Sequence, residues 1–243
     1  MEELSHIGPR IIMSFNDGKV IVTETVITAA ILAVIIAVVC IWMASNLQRI
    51  PSKKQVVAEL IVGLVYSLTK STMGARNVNF APYIGTIILF ILFGNMLGLF
   101  GLRPTTADVN MTFALSTITF FLIEFNSFRS MGIKGKLAHM CQPYPFMFPL
   151  KIIESVSRPI SLGFRLFGNI LGGVIVMELI YLGLGGLSHM LSLKVPVFVI
   201  GFPFPANFFF DIFEPVVQAF IFTMLTMVFI SIEMVAHADE EHN

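Results

Sequence analysis

Charge is scarce in this chain. Lys and Arg total 15, Asp and Glu total 15, and together they make up 12% of 243 residues, about half the share of an ordinary soluble domain. The even balance offers no basic surface for nucleic acid and no acidic tract for a cationic partner. Only two cysteines occur. Cys40 and Cys141 lie in different segments without CxxC or other ligand spacing, so neither a disulfide framework nor a thiolate metal site is expected. P-loop, GxGxxG, HExxH and GxSxG sequences are all lacking, and no cofactor is expected.

What the chain has in excess is apolar sequence: 56% of residues are hydrophobic, including 24 phenylalanines and 14 methionines. Several runs approach or exceed the roughly 18 apolar residues of a spanning helix. The expected fold is all-α: a polytopic membrane protein forming one membrane domain, with about three steep spanning helices, one amphipathic surface helix and a long tilted C-terminal helical hairpin. No internal repeat is evident, which argues against an inverted-repeat transporter.

Residues 1–19 are expected outside the membrane and 20–44 in the first spanning helix, read as an anchor because no cleavable signal is evident. Arg49, Lys53 and Lys54 follow it and place its end in the cytoplasm by the positive-inside rule. In 55–72, Val56, Val57, Leu60, Ile61, Leu64, Val65 and Leu68 recur at helical spacing beside Glu59 and Lys70, a surface-helix pattern. A helical hairpin over 82–128 turns at Pro104–Asn110, with Asp108 or Asn110 as helix caps. A basic cytoplasmic loop (Arg129, Lys134, Lys136) and three prolines lead to the long hairpin, 147–236. Its turn spans Gly185–Pro205, and its polar tail, 237–243, is cytoplasmic.

Arg165 stands inside a run that otherwise reads as buried helix. A guanidinium at the bilayer centre costs roughly 2.5–3.5 kcal/mol on insertion scales and cannot shed its proton. It needs a partner or a water-filled cavity. Asn169, four residues on, shares its face about 6 Å along the axis. Gly168 and Gly172 form a small-xxx-small pair that lets another helix approach. Glu178 lies about 20 Å beyond Arg165, and Lys151 and Glu154 lie on its other side. Ionisable groups thus flank the arginine on both sides, an order that suits two aqueous half-pathways separated by a positive barrier. On the last helix Asp211, Glu214 and Gln218 share a face. Pro215 frees the Asp211 carbonyl to hold water, and Gln218 is placed to reach Arg165. Glu124, Asn126 and Asn95 are weaker candidates.

The run from Arg158 to Asn169 (RPISLGFRLFGN), with Gln218 to Thr226 (QAFIFTMLT), closely resembles subunit a of F-type ATP synthases. The Pro104–Thr112 turn resembles that family's PTxDxNxT segment. The likeness is specific from Pro104 onward and topological before it. It implies that Arg165 is the family's essential arginine, facing a rotating ring of c subunits, with Asn169 and Gln218 as polar neighbours and Asp211 at the outer half-channel. Two positions depart from the pattern: Val174 and Lys151 stand where acids are common, with Glu178 and Glu154 one turn away. The implied partners are the c-ring, the peripheral-stalk b subunits, the remaining synthase subunits and the lipid bilayer, in a bacterial cell membrane. The subunit itself makes no ATP. An independent ion-coupled secondary transporter, with Arg165 binding an anionic substrate, is the alternative. An intramembrane enzyme would lack any nucleophile or metal constellation.

Overall fold

β-Branched residues crowd the start of the first apolar run, and the chain there is extended. In the computed structural model, which describes residues 11–15, 20–45, 47–141, 144–190 and 203–238, β2 (Val20–Thr23) pairs antiparallel with β1 (Ile11–Phe15). The first helix therefore begins at Glu24, four residues after the expected Val20, with an acid at its positive N-terminal end. The rest of the described chain is helical apart from short connections, and six of its helices are long and apolar enough to cross a membrane.

α1 (Glu24–Ala44) and α2 (Lys53–Met73) are followed by α3 (Ala81–Asn95), which tightens into a 3₁₀ turn at Met96–Phe100 before Gly101. Most of α1 and half of α2 expose large apolar side chains, among them Val34, Val38, Ile41, Leu60 and Leu64. That is the surface a lipid-embedded chain presents, because lipid tails solvate it as well as a protein core would.

The expected third helix, ending near Phe128, is longer. α4 runs Val109–Cys141 and is broken at Gly132, whose φ of 69° and ψ of 170° belong almost to glycine alone. The break turns the chain, and the segment expected as a basic loop continues as helix. Lys136 lies folded inward there, only 4% exposed. α5 (Phe148–Met190) has 43 residues and continues past Gly185, so the first part of the expected Gly- and Pro-rich turn is helical. The remainder of that turn, 191–202, lies outside the described residues, as do most of 1–19 and the tail from Asp239. The last helix is composite: α6 (Phe204–Phe208), a π-turn (Phe209–Phe213) and α7 (Glu214–Ala238).

Two apolar clusters join these helices. Ile87 and Ile91 of α3 meet Leu162 and Leu166 of α5 and Ala219 and Phe222 of α7. Met73, Ile84 and Ile123 meet Met227 and Ile230. α3 and α7 are therefore the central pair. Leu162, Leu166, Ile170 and Met177 are the buried stripe of α5, repeating at intervals of four and seven, so Arg165, Gly168 and Gly172 fall on its open face.

Within α5, glycine permits the closest contact at Gly173. A Cβ on Gly173 would lie 2.8 Å from Phe210 Cδ1 and 3.0 Å from Glu214 Oε2, whereas one on Gly168 or Gly172 would meet nothing within 4 Å. Among the described residues, the expected approach of another helix at Gly168–Gly172 does not occur; it occurs one residue later.

Gly173→Ala should destabilise the detergent-solubilised subunit by roughly 1–3 kcal/mol through overpacking, with Gly172→Ala near neutral, as read from thermal unfolding midpoints. Gly132→Ala should cost a similar amount, roughly 1–3 kcal/mol, from backbone strain; an unchanged midpoint would show that the break at Gly132 is not under positive-φ constraint.

Candidate functional site

The polar side chains collect at three levels along α5. At the middle, Arg165 is exposed on the open face and makes no hydrogen bond or ion pair with any described residue. Gln218 does not bond to it. Instead Asn169 Nδ2 donates to Gln218 Oε1 at 2.6 Å, linking α5 to α7, and the buried Gln218 Nε2 is left without a partner.

Beyond Arg165 in the C-terminal direction lies a cavity of about 330 Å³. Glu178 and Tyr181 of α5 face Asn207, Asp211 and Glu214 across it, with Asn95 of α3 at its wall. The reason the last helix bends around this space is local. Pro215 has no N–H to give the Asp211 carbonyl, and the ladder widens here: Glu214 N–H reaches back five residues to the Phe209 carbonyl. Gly98 lies beside Asp211, where a Cβ would stand 3.4 Å from Oδ1. Asn207 Nδ2 donates to Tyr181 Oη at 2.6 Å and pins the far end of the hairpin. Asn95 accepts a hydrogen bond from the Thr106 hydroxyl, and its own Nδ2, in a side chain 2% exposed, has no partner.

Before Arg165 lies a second cavity, about 220 Å³, bordered by Lys136, Lys151, Glu154, Arg158 and Glu233. Here the charges are paired. Glu233 Oε2 accepts from Lys136 Nζ at 2.8 Å, and its Oε1 accepts from Arg158 at 2.7 Å. Arg158 also donates to Glu154 at 2.7 Å, one turn earlier on the same helix. Glu124 lies 3.3 Å from Lys136 Nζ and accepts the Ser155 hydroxyl at 2.6 Å. Removing one partner from so buried a pair costs roughly 3–5 kcal/mol, because the other charge is stranded.

Asp108 belongs to neither cavity. Its Oδ1 accepts the Asn110 N–H at 2.9 Å and caps α4, while Oδ2 accepts the Thr25 hydroxyl at 2.6 Å and ties the cap to the start of α1. Asn110 contributes only that backbone group among its recorded bonds; its side chain is exposed.

The expected residues thus fall into distinct groups. Glu178, Asp211 and Glu214 share one cavity, Lys151 and Glu154 share the other, Asn169 and Gln218 are joined, and Arg165 stands apart. Glu233 was missed. The signal is its place as an acid inside the apolar run Val228–Val235, weaker than that of Arg165 because the helix ends five residues later. The sequence places Lys136 in a loop, because nothing local shows that the break at Gly132 folds it inward.

Residues 26–231 match the family model described as ATP synthase A chain. The chain is 32% identical to "ATP synthase subunit a, sodium ion specific" of Propionigenium modestum over 225 residues, covering 86% of this chain and 73% of that one. It is 29% identical over 229 residues to ATP synthase subunit a of Moorella thermoacetica, covering 94% and 97% of the two chains. With the same subunit of Aquifex aeolicus it shares 33% identity over 220 residues, covering 88% and 96%. On this breadth of match, joined to a helical bundle carrying an unpaired arginine between two polar cavities, the chain belongs to the ATP synthase A chain family.

Proposed function

We propose that this chain is the ion-translocating stator subunit of an ATP synthase membrane sector, with two offset aqueous half-channels meeting at Arg165. The carrying observation is the placement of that arginine. It is exposed, bonded to nothing among the described residues, and set on α5 between the cavity at Glu178, Asp211 and Glu214 and the cavity at Glu154 and Glu233. A cation left without a counter-charge among the described residues suits an anion delivered by another chain.

In this reading α1, α3 and the first part of α4 stand steeply, α2 lies along the cytoplasmic surface, and the α5–α7 hairpin is tilted. At 1.5 Å per residue, the 43 residues of α5 extend about 64 Å, roughly twice the hydrocarbon thickness. A strong tilt keeps both ends near water. The N-terminus lies outside and the C-terminus in the cytoplasm, consistent with the basic residues beside the inner cavity.

The open face of α5 (Arg165, Gly168, Gly172) meets the c-ring, with glycines allowing close approach. A c-subunit carboxylate reaching Arg165 is held as its anion and releases its proton or sodium ion toward the inner cavity. An ion pair at about 4 Å is worth roughly 4 kcal/mol at an effective dielectric of about 20, enough to hold a carboxylate well below its ordinary range. The carboxylate reloads from the outer cavity, where Glu178, Asp211 and Glu214 gather cations and the Asn169–Gln218 pair lines the approach. Arg165 also bars a direct leak between the two paths. The membrane potential supplies roughly 2.3 kcal/mol per charge per 100 mV, and the peripheral-stalk b subunits hold this chain against the torque.

Arg165→Ala, compared with native protein at matched assembly, should abolish ATP-driven ion pumping in vesicles containing the whole complex and open a passive leak through the membrane sector. Undiminished pumping would make the arginine structural and sink the mechanism. Asp211→Ala combined with Glu214→Ala should slow pumping without the leak, because the barrier at Arg165 is untouched; a leak equal to that of Arg165→Ala would contradict the division of roles.

A further inference from the structure

Three cations border the inner cavity: Lys136, Lys151 and Arg158. A route that carries protons or sodium ions would be poorly served by such a wall, since like charges in a confined, partly desolvated space repel strongly. The acids facing them are unequal. Glu154 is 59% exposed in its side chain, so solvent screens it. Glu233 is 11% exposed and bonds two cations at once, Lys136 through one oxygen and Arg158 through the other. Glu124 touches Lys136 from α4, 17% exposed, and the Ser127 hydroxyl donates to Glu233 at 3.1 Å.

We propose, resting on the membrane-sector reading above, that Glu233 is the counter-charge that keeps the inner cavity passable to cations. It is a positioning residue: it acts by neutralising Lys136 and Arg158 and holding their ammonium and guanidinium groups against the wall. Geometry gives it this role. Glu233 sits five residues before the end of α7, where the fold-back of α4 at Gly132 and the inner part of α5 converge. Glu124 and Glu154 each reach one of the two cations, and Glu233 reaches both. With Glu233 neutral, Lys136 keeps Glu124 and Arg158 keeps Glu154, but the cavity gains a full positive charge.

The same contacts would also suit a purely structural latch between α4, α5 and α7, and charge compensation separates the two. Passive cation conduction, driven by a potassium diffusion potential, is measured in vesicles carrying the membrane sector stripped of its catalytic head. Glu233→Gln should conduct roughly tenfold more slowly than native. The double variant Lys136→Gln with Glu233→Gln, which removes one charge of each sign, should return to near the native rate. Native conduction by Glu233→Gln, or a double variant as slow as the single one, would overturn the proposal; the second result would assign Glu233 to a latch. If Glu233→Gln does not assemble, Lys136→Gln alone carries the test, with conduction at or above native expected and slower conduction overturning the idea. Failure of the underlying reading looks different: a native sector that conducts no cation, or an Arg165→Ala complex that pumps normally.

Discussion

A charge enclosed by apolar helices has to be matched nearby or left facing something that can match it, and the architecture of this subunit follows that requirement. Around Glu233 the match is internal. Lys136, Arg158, Glu124 and Glu154 come from two other helices and neutralise one another within hydrogen-bonding distance. At Arg165 there is no match among the described residues, and the helix turns that residue outward. The two arginines of α5, seven residues apart, thus contrast sharply: Arg158 is paired within the bundle and Arg165 faces out of it.

Backbone chemistry decides where these charges can meet. Gly132 takes a conformation other residues avoid and folds Lys136 back over the bundle. Gly173 lets α5 come against Phe210 and Glu214, so the cavity at Glu178, Asp211 and Glu214 is bounded by two helices in contact. Pro215 withholds one donor, and the π-turn before it carries Asp211. Each device is one residue.

The two departures from the family's pattern become intelligible in this frame. Val174 and Glu178 border the same cavity, being one helical turn apart on one face. Lys151 and Glu154 likewise share the cavity that Arg158 and Glu233 border. Moving an acid by one turn keeps its carboxylate in the same space. At Val174 and Glu178 the local charge is thereby kept, whereas Lys151 adds a cation beside Glu154, where the buried Glu233 of α7 stands opposite.

Much was legible in the residues themselves. Scarce charge and long apolar runs specify membrane helices, because hydrocarbon offers the backbone no other hydrogen-bond partners, and an arginine in such a run declares itself by its cost. The i, i+4 spacing placed Asp211, Glu214 and Gln218 on one face, and the resemblance from Pro104 onward named the family. Spacing along one helix, however, says nothing about which neighbour it meets. That Gln218 takes Asn169 rather than Arg165, that the cap Asp108 also braces α1, and that Lys136 is a buried partner of Glu233 all depend on contacts between residues up to 97 positions apart. Composition and period are local quantities and the sequence alone determined what they determine: helices, their faces and the misplaced charge. Charge pairing across helices depends on how backbones turn at single glycines and prolines, and only the tertiary structure decided it.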